Sequence, residues 1–328
     1  MVIFNLRYMK ISQLYIIILI AIIPWITGCD RDAVDNVDFS VKVMDNAHEF
    51  RVGEEVTFMF EGNVDYLSFF SGENGNNYAN INRGSVDLTA LQLGCTIKQQ
   101  YTDTEYRGKE ILHVYLSDDF NGMYTLEGIQ KANWKKISGR ESNQLAVPMT
   151  QQSSTDEVAS SINLMDYKDR PFYIAFQYNA PKRLKGTDKY DVAPRIDVNP
   201  MTLSKTTVTN ETVVWNNPST DFGFQVVYEN SMQQSNYQVQ SGQLLFQPVT
   251  KKEYTDEDVI VWMVSTLIQP QKVEPDRGVA IKSTTAHLYS YTHVYSQPGT
   301  YEVVFVATNA NMWNANQIIK KLTLTIKE

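Results

Sequence analysis

Apolar residues in this chain recur at every second position, again and again, from near residue 39 to residue 326. Phe39, Val41 and Val43 alternate with Ser40 and Lys42, and Val56, Phe58 and Phe60 share a face. Tyr301, Val303, Phe305 and Ala307 alternate in the same way, followed by Leu322, Leu324 and Ile326. A period of two puts alternate side chains on one face of a β-strand, whereas a helix face needs a period of 3.6. No long amphipathic helix is evident anywhere. The 19 Tyr and 14 Phe residues point the same way, because aromatic and β-branched side chains favour strands. The predicted fold class is therefore all-β.

Turn chemistry divides the strands. Val52-Gly53-Glu54 turns the chain into the strand at 56–60, and Ser71-Gly72-Glu73-Asn74-Gly75-Asn76-Asn77 is a dense turn signal after Tyr66–Phe70. Further strand-like runs cover 91–99, 111–116, 134–137, 172–178, 195–203, 208–215, 222–228, 243–246 and 259–265. Residues 139–160 read as a loop, within which Ser154 and Glu157 have capping-box spacing for a single helical turn. Residues 179–194 read as a second polar loop. Pro298-Gly299 suits the centre of a type II turn. The Asn-rich stretch 309–316 then forms the tip of a final hairpin.

The first 28 residues read as a lipoprotein signal peptide. Arg7 and Lys10 make the basic n-region, and an apolar run of about ten residues follows, short of the roughly 20 that a membrane span needs. Ile26-Thr27-Gly28-Cys29 has the form of a lipobox, which makes Cys29 the lipidation site and residues 29–36 a tether. Anchoring would be through the lipid alone. With Cys29 lipidated, Cys95 has no partner for an intrachain disulfide and reads as a buried small hydrophobe. The formal charge of -8 becomes -10 once Arg7 and Lys10 are removed, and an acidic surface excludes a phosphate-backbone partner, so no nucleic acid is expected.

Catalytic chemistry has little support. His48, His113, His287 and His293 stand apart without zinc-ligand spacing, and no nucleophile elbow, Walker loop or dinucleotide fingerprint occurs. The acid clusters are adjacent rather than alternating along a strand, unlike a glycosidase pair. No cofactor is expected beyond a structural calcium ion, for which Asp118, Asp119 and Asn121 supply hard oxygen ligands in a Gly-bearing loop. The same residues also suit a plain Asx turn. Glycan binding needs an aromatic platform ringed by amides. Trp313 with Asn311, Asn314 and Asn316 has that composition, as does Trp215 with Asn216 and Asn217. Trp134 and Trp262 lie within strand patterns and read as core.

His293-Val294-Tyr295 through Pro298-Gly299-Thr300-Tyr301-Glu302-Val303 resembles the end of a PKD domain, an Ig-like sandwich, and 56–75 resembles the start of one. Between them, the run from Leu112 to Gly122 with Ala132-Asn133-Trp134, and the later strands at 172–178 and 195–197, look like a jelly-roll (galactose-binding-like) β-sandwich. Together the chain is similar to a family of Bacteroides (Bacteroidota) surface lipoproteins found among polysaccharide-utilisation genes. Acids just after the lipidated cysteine, here Asp30 and Asp32, resemble that phylum's surface-export signal. The resemblance implies an outer-membrane, cell-surface location and a role in binding a polysaccharide or oligosaccharide beside an outer-membrane transporter complex. The alternative is a structural or adhesive subunit that docks protein partners. Each PKD-like half is too short to close a sandwich alone. The expected organisation is one discontinuous Ig/PKD-like domain, 37–84 with 274–328, and a jelly-roll at 85–273 inserted between its halves. Two separate Ig-like domains flanking the jelly-roll are the rival arrangement.

Overall fold

The computed structural model describes residues 33–102, 104–149, 154–181, 193–230, 236–247 and 258–328. They divide into two compact units, 33–83 with 275–328, and 84–274. The first unit opens with β1 (Asp38–Val43), β2 (Glu49–Arg51), β3 (Glu55–Asn63) and β4 (Tyr66–Phe70). The second holds β5 (Leu88–Gln100), β6 (Leu112–Ser117), α1 (Leu126–Lys131), β7 (Lys135–Lys136), β8 (Asp156–Asn163), β9 (Tyr173–Ala180) and β10 (Arg195–Thr207). It continues through β11 (Thr212–Trp215), β12 (Gln225–Asn230), β13 (Tyr237–Val239), β14 (Leu244–Phe246) and β15 (Val259–Val264). The chain then returns to the first unit with β16 (Val279–Lys282), β17 (Ser290–Val294), β18 (Gly299–Ala310) and β19 (Ala315–Lys327). The all-β expectation holds, and the sheets are arranged as sandwiches.

In the first unit a three-stranded sheet, β1-β3-β17, faces a five-stranded sheet, β16-β4-β18-β19-β2. Only the β19–β2 contact is parallel. The inward positions of the alternating segments meet in one core. Phe305 is fully buried, with ring centroids of Phe39, Phe58, Phe60 and Phe69 between 5.1 and 6.4 Å from its own. Large rings interlock there because two half-buried sheets must fill a gap of about 10 Å. Gly62 lets β1 come close: its φ is +96°, and a Cβ there would stand 2.1 Å from the Asp38 carbonyl oxygen.

In the second unit the path β13-β14-β10-β5-β8, with β11 also on β10, packs against β12-β15-β9-β6-β7. Leu91, Leu93, Cys95 and Ile97 of β5 and Ile174, Phe176 and Tyr178 of β9 belong to its main core. The opposite face of β9 is covered as well. Tyr173 and Ala175 join Phe120, Ile129, Val227, Trp262 and Val264 in a second, smaller core, for which α1 and its flanking loops form the lid. Thr125 caps α1 by accepting from the Gly128 N–H at 3.2 Å.

Three sequence expectations need correction. The loop read across 139–160 contains most of β8, which runs antiparallel along β5 from Gln92↔Asn163 to Gln99↔Asp156. The capping-box spacing at Ser154 does not start a helix, because Val158, Ser160 and Ile162 alternate toward the sheet and the exposed β5 ladder supplies their backbone partners. Pro298-Gly299 does not form a type II turn. Gly299 is not among the glycines with positive φ and opens β18 directly. The link from β17 to β18 crosses from one sheet to the other, so no tight hairpin turn is needed. Helix α1 has no counterpart in the sequence reading, since six residues are too few to show a helical period.

Candidate functional site

A cleft of about 420 Å³ opens in the second unit, within the size range of small-ligand sites. Its walls come from Gly84-Ser85, Lys168–Pro171 and Gln269–Lys272. These segments lie outside the long strands but are laced together. Ser85 bridges Lys272, Phe172 bridges Ile268, and the Val86 N–H donates to the Gln271 carbonyl at 2.9 Å. Pro171 and Pro270 stiffen two of the walls.

The floor is held from below by a buried lysine. Lys205, on β10, is 2% exposed and donates from Nζ to the carbonyls of Pro270 at 2.9 Å and Lys272 at 2.7 Å. Burial lowers its pKa, and the charge of Glu211 partly offsets that. At the rim, Lys168 pairs with Asp169 at 2.5 Å, and Gln271 Nε2 donates to Asp169 at 2.8 Å and Asp87 at 3.0 Å. The Arg170 guanidinium lies 4.6 Å from the Tyr167 ring centre and pairs with Asp118 at 3.0 Å. Three cations, two amides and one carboxylate thus line a cleft with rigid walls. Such a lining suits polar, hydroxyl-rich or anionic groups.

The residues singled out from the sequence fall into separate places. Trp215 is half-buried against the main core of the second unit, and Lys205 Nζ stands 5.3 Å from its ring centre, so it does not offer an open platform. Asn216 and Asn217 donate their backbone N–H groups to Asp221, both at 3.0 Å, closing a loop on itself. Trp313 stands on the other unit, at the β18–β19 tip, 63% exposed beside Met312 at 82%. The Asn311 Oδ1 accepts from the Trp313 and Asn314 N–H groups, each at 2.8 Å. Nδ2 of Asn311 donates to the Ala33 carbonyl at 3.1 Å, and Asn316 Nδ2 donates to that of Val34 at 2.9 Å. The amides of Asn311 and Asn316, expected to ring a sugar, instead hold the tip and the backbone of Ala33 and Val34.

The proposed calcium loop is wired to protein donors. Asp118 faces Arg170, while Asp119 accepts from Ser117 Oγ at 2.8 Å and from the backbone and side chain of Asn133 at 2.8 and 2.6 Å. The bond from Ser117, with those from Asn133, lowers the Asp119 pKa. Asn121 accepts from the Met123 N–H at 2.9 Å, an Asx turn. Among the described residues no three His, Cys, Asp or Glu side chains gather in a way that could hold a metal ion. Cys29 lies outside the described residues.

The cleft was missed because its residues are scattered over three connections with no local pattern. A second polar cluster was missed too. Glu110 accepts from Lys136 and Ser138, with His113 Nδ1 at 3.1 Å, at the edge of an aromatic row in which Tyr115, Trp262 and Trp134 lie 5.4 and 5.5 Å apart. Burial opposes ionisation of Glu110, but the hydrogen bonds and charges of His113 and Lys136 outweigh it and hold its carboxyl down at about 2. Trp134 and Trp262 pack in a core, as their strand patterns suggested, and it is the smaller one. Trp262 is buried in the smaller core, and Trp134 is half-buried against it.

A search among proteins of curated function finds no match. The family model that fits covers residues 28–220, from just before Cys29 through β1–β11 and so through most of the cleft-bearing unit. That span is more than half of the 328 residues, and the chain belongs to this family, the one described as Domain of unknown function (DUF5017).

Proposed function

We propose that this protein is a non-catalytic lipoprotein, anchored in the outer membrane through Cys29 and exposed at the cell surface, that binds a glycan for uptake by a transporter complex. The observation that carries this reading is the cleft of the second unit. It combines proline-bearing walls with Lys168, Arg170, Lys272 and Gln269 in its lining, a donor-rich set suited to sugar hydroxyls and acidic sugar substituents, while Gln271 Nε2 is committed to Asp87 and Asp169. Asp169 is the one carboxylate among its lining residues, and Lys168 and Gln271 already engage it. Glycoside hydrolysis uses two carboxylates about 5–10 Å apart, so the lining favours retention over cleavage.

The test is affinity electrophoresis of the protein through gels containing host and plant polysaccharides, neutral and acidic. Retardation by at least one polymer, reduced at least tenfold in affinity by Arg170→Ala and Lys272→Ala together, is the expected result. Unretarded migration through every gel would sink the reading.

One observation favours a second reading, docking of protein partners. Residues 315–324 of β19 pair only with β18 among the described residues, leaving a long strand edge open. Lys320, opposite Phe305 and exposed, guards that edge against indiscriminate pairing. Hydrogen exchange slowed at 315–324 in the assembled surface complex, and unchanged by glycan, would shift the assignment to this reading.

A further inference from the structure

We infer that the β18–β19 tip faces the lipid surface, with Met312 and Trp313 seated in the interfacial layer of the membrane to which Cys29 is attached. The inference rests on the proposed lipidation of Cys29. Ala33 is four residues beyond that cysteine, and an extended chain reaches at most about 3.6 Å per residue, so Ala33 lies within roughly 14 Å of the lipidated sulfur's backbone. Ala33 is not loose: its carbonyl accepts from Asn311 Nδ2 at 3.1 Å. Val34 is held by Asn316, and Asp35 and Asn36 by Asn309 Nδ2 at 3.3 and 3.1 Å. Three asparagines of one hairpin therefore clamp the tether against the tip. The tip is brought to the bilayer by the same few residues that attach the chain to it.

The chemistry of the tip matches that location. Among the described residues Met312 is the most exposed large hydrophobic side chain, and Trp313 shares third place with Tyr101, a poor arrangement for a surface facing only water. Tryptophan concentrates at membrane interfaces, where its apolar ring and polar N–H each find a suitable environment. From Thr308 to Ile319 the sequence carries no charged residue, and the carboxylate of Asp65 meets the hairpin at Ala310, below the turn that holds Met312 and Trp313. The turn also satisfies its own backbone. The N–H groups of Trp313 and Asn314 bond to Asn311 Oδ1, and the Asn311 N–H donates to the Asn314 carbonyl at 2.9 Å. Asp30, Asp32 and Asp35 crowd the tether, so the attraction is apolar rather than electrostatic and does not weaken with salt.

The mature lipidated protein in phosphatidylethanolamine–phosphatidylglycerol vesicles doped with bromolipid provides the test. Tryptophan quenching is expected in the wild type and in Trp215→Phe, undiminished at high salt, and absent in Trp313→Phe. Equal quenching in all three proteins, or none in any, overturns the inference. Cys29→Ala, fractionated from cells, separates the two premises. Its full retention in the membrane overturns the anchoring on which the inference rests. Its release, combined with an unquenched Trp313 in the lipidated protein, overturns the tip assignment alone and frees Trp313 for a glycan or protein partner.

Discussion

The ammonium of Lys205 lies 5.3 Å from the centre of the Trp215 ring and donates to the carbonyls of Pro270 and Lys272. A buried cation is tolerated there because an aromatic face and two carbonyl oxygens replace its water. It joins β10 to the loop that floors the cleft.

Lys205→Met should therefore loosen the 269–272 wall. Two carbonyls lose a charged donor, a cost of about 1–3 kcal/mol, partly offset by removal of the buried charge. A lowered urea midpoint with weakened glycan binding is expected. An unchanged midpoint would mean that the floor stands without Lys205.

Glu110 gives the protein an acid-sensitive contact. Its folded pKa, about 2, lies below the unfolded value of roughly 4.3. Its contribution is thus fully present above pH ~4.3 and is lost as the pH falls toward 2. Allowing for its partial exposure to solvent, the contribution is on the order of 1–2 kcal/mol. In Glu110→Gln, stability measured between pH 5 and pH 2.5 should fall less steeply than in the wild type. Parallel curves would remove Glu110 from the account.

Phe305→Ala should cost the first unit about 3–5 kcal/mol, since the ring touches four other phenylalanines and none can fill the void. Each unit has its own core, so calorimetry should show one unfolding transition lowered and the other kept. Equal displacement of both transitions would contradict independent cores.

Cys95, on β5 and 4% exposed, should be inert in the folded protein. Burial pushes its thiol well above the usual range and leaves no thiolate to react. Dithionitrobenzoate should label it only after unfolding. Rapid labelling of the native chain would place β5 outside the core.

The sandwich strands were legible because alternation is a local property. Phe39 to Val43, Val56 to Phe60 and Tyr301 to Ala307 each carry their inward face in their own sequence. The sequence placed the Ig-like boundaries at 84 and 274, and the compact units divide at 83/84 and 274/275. Strand β8 was not legible. Its small polar residues, Ser160 and Ser161, pair because β5 is beside them rather than because of any strong strand preference. Trp134 and Trp262 were legible as core from their strand patterns, but that their core is a second, smaller one beside α1 was not.

What the sequence determined by itself is the all-β class and the period of strands such as β1, β3 and β18, because each depends on residues close together in the chain. What only the tertiary structure decided is which groups remain available for function. Asn311 and Asn316 carry the composition of a sugar site, but the fold commits their amides to the backbone of Ala33 and Val34. Lys168, Arg170 and Lys272 carry no motif, but connections from distant parts of the chain converge to place them in the walls of a cleft. Hydrogen-bond capacity is finite, and the contacts that consume it join residues up to 282 positions apart.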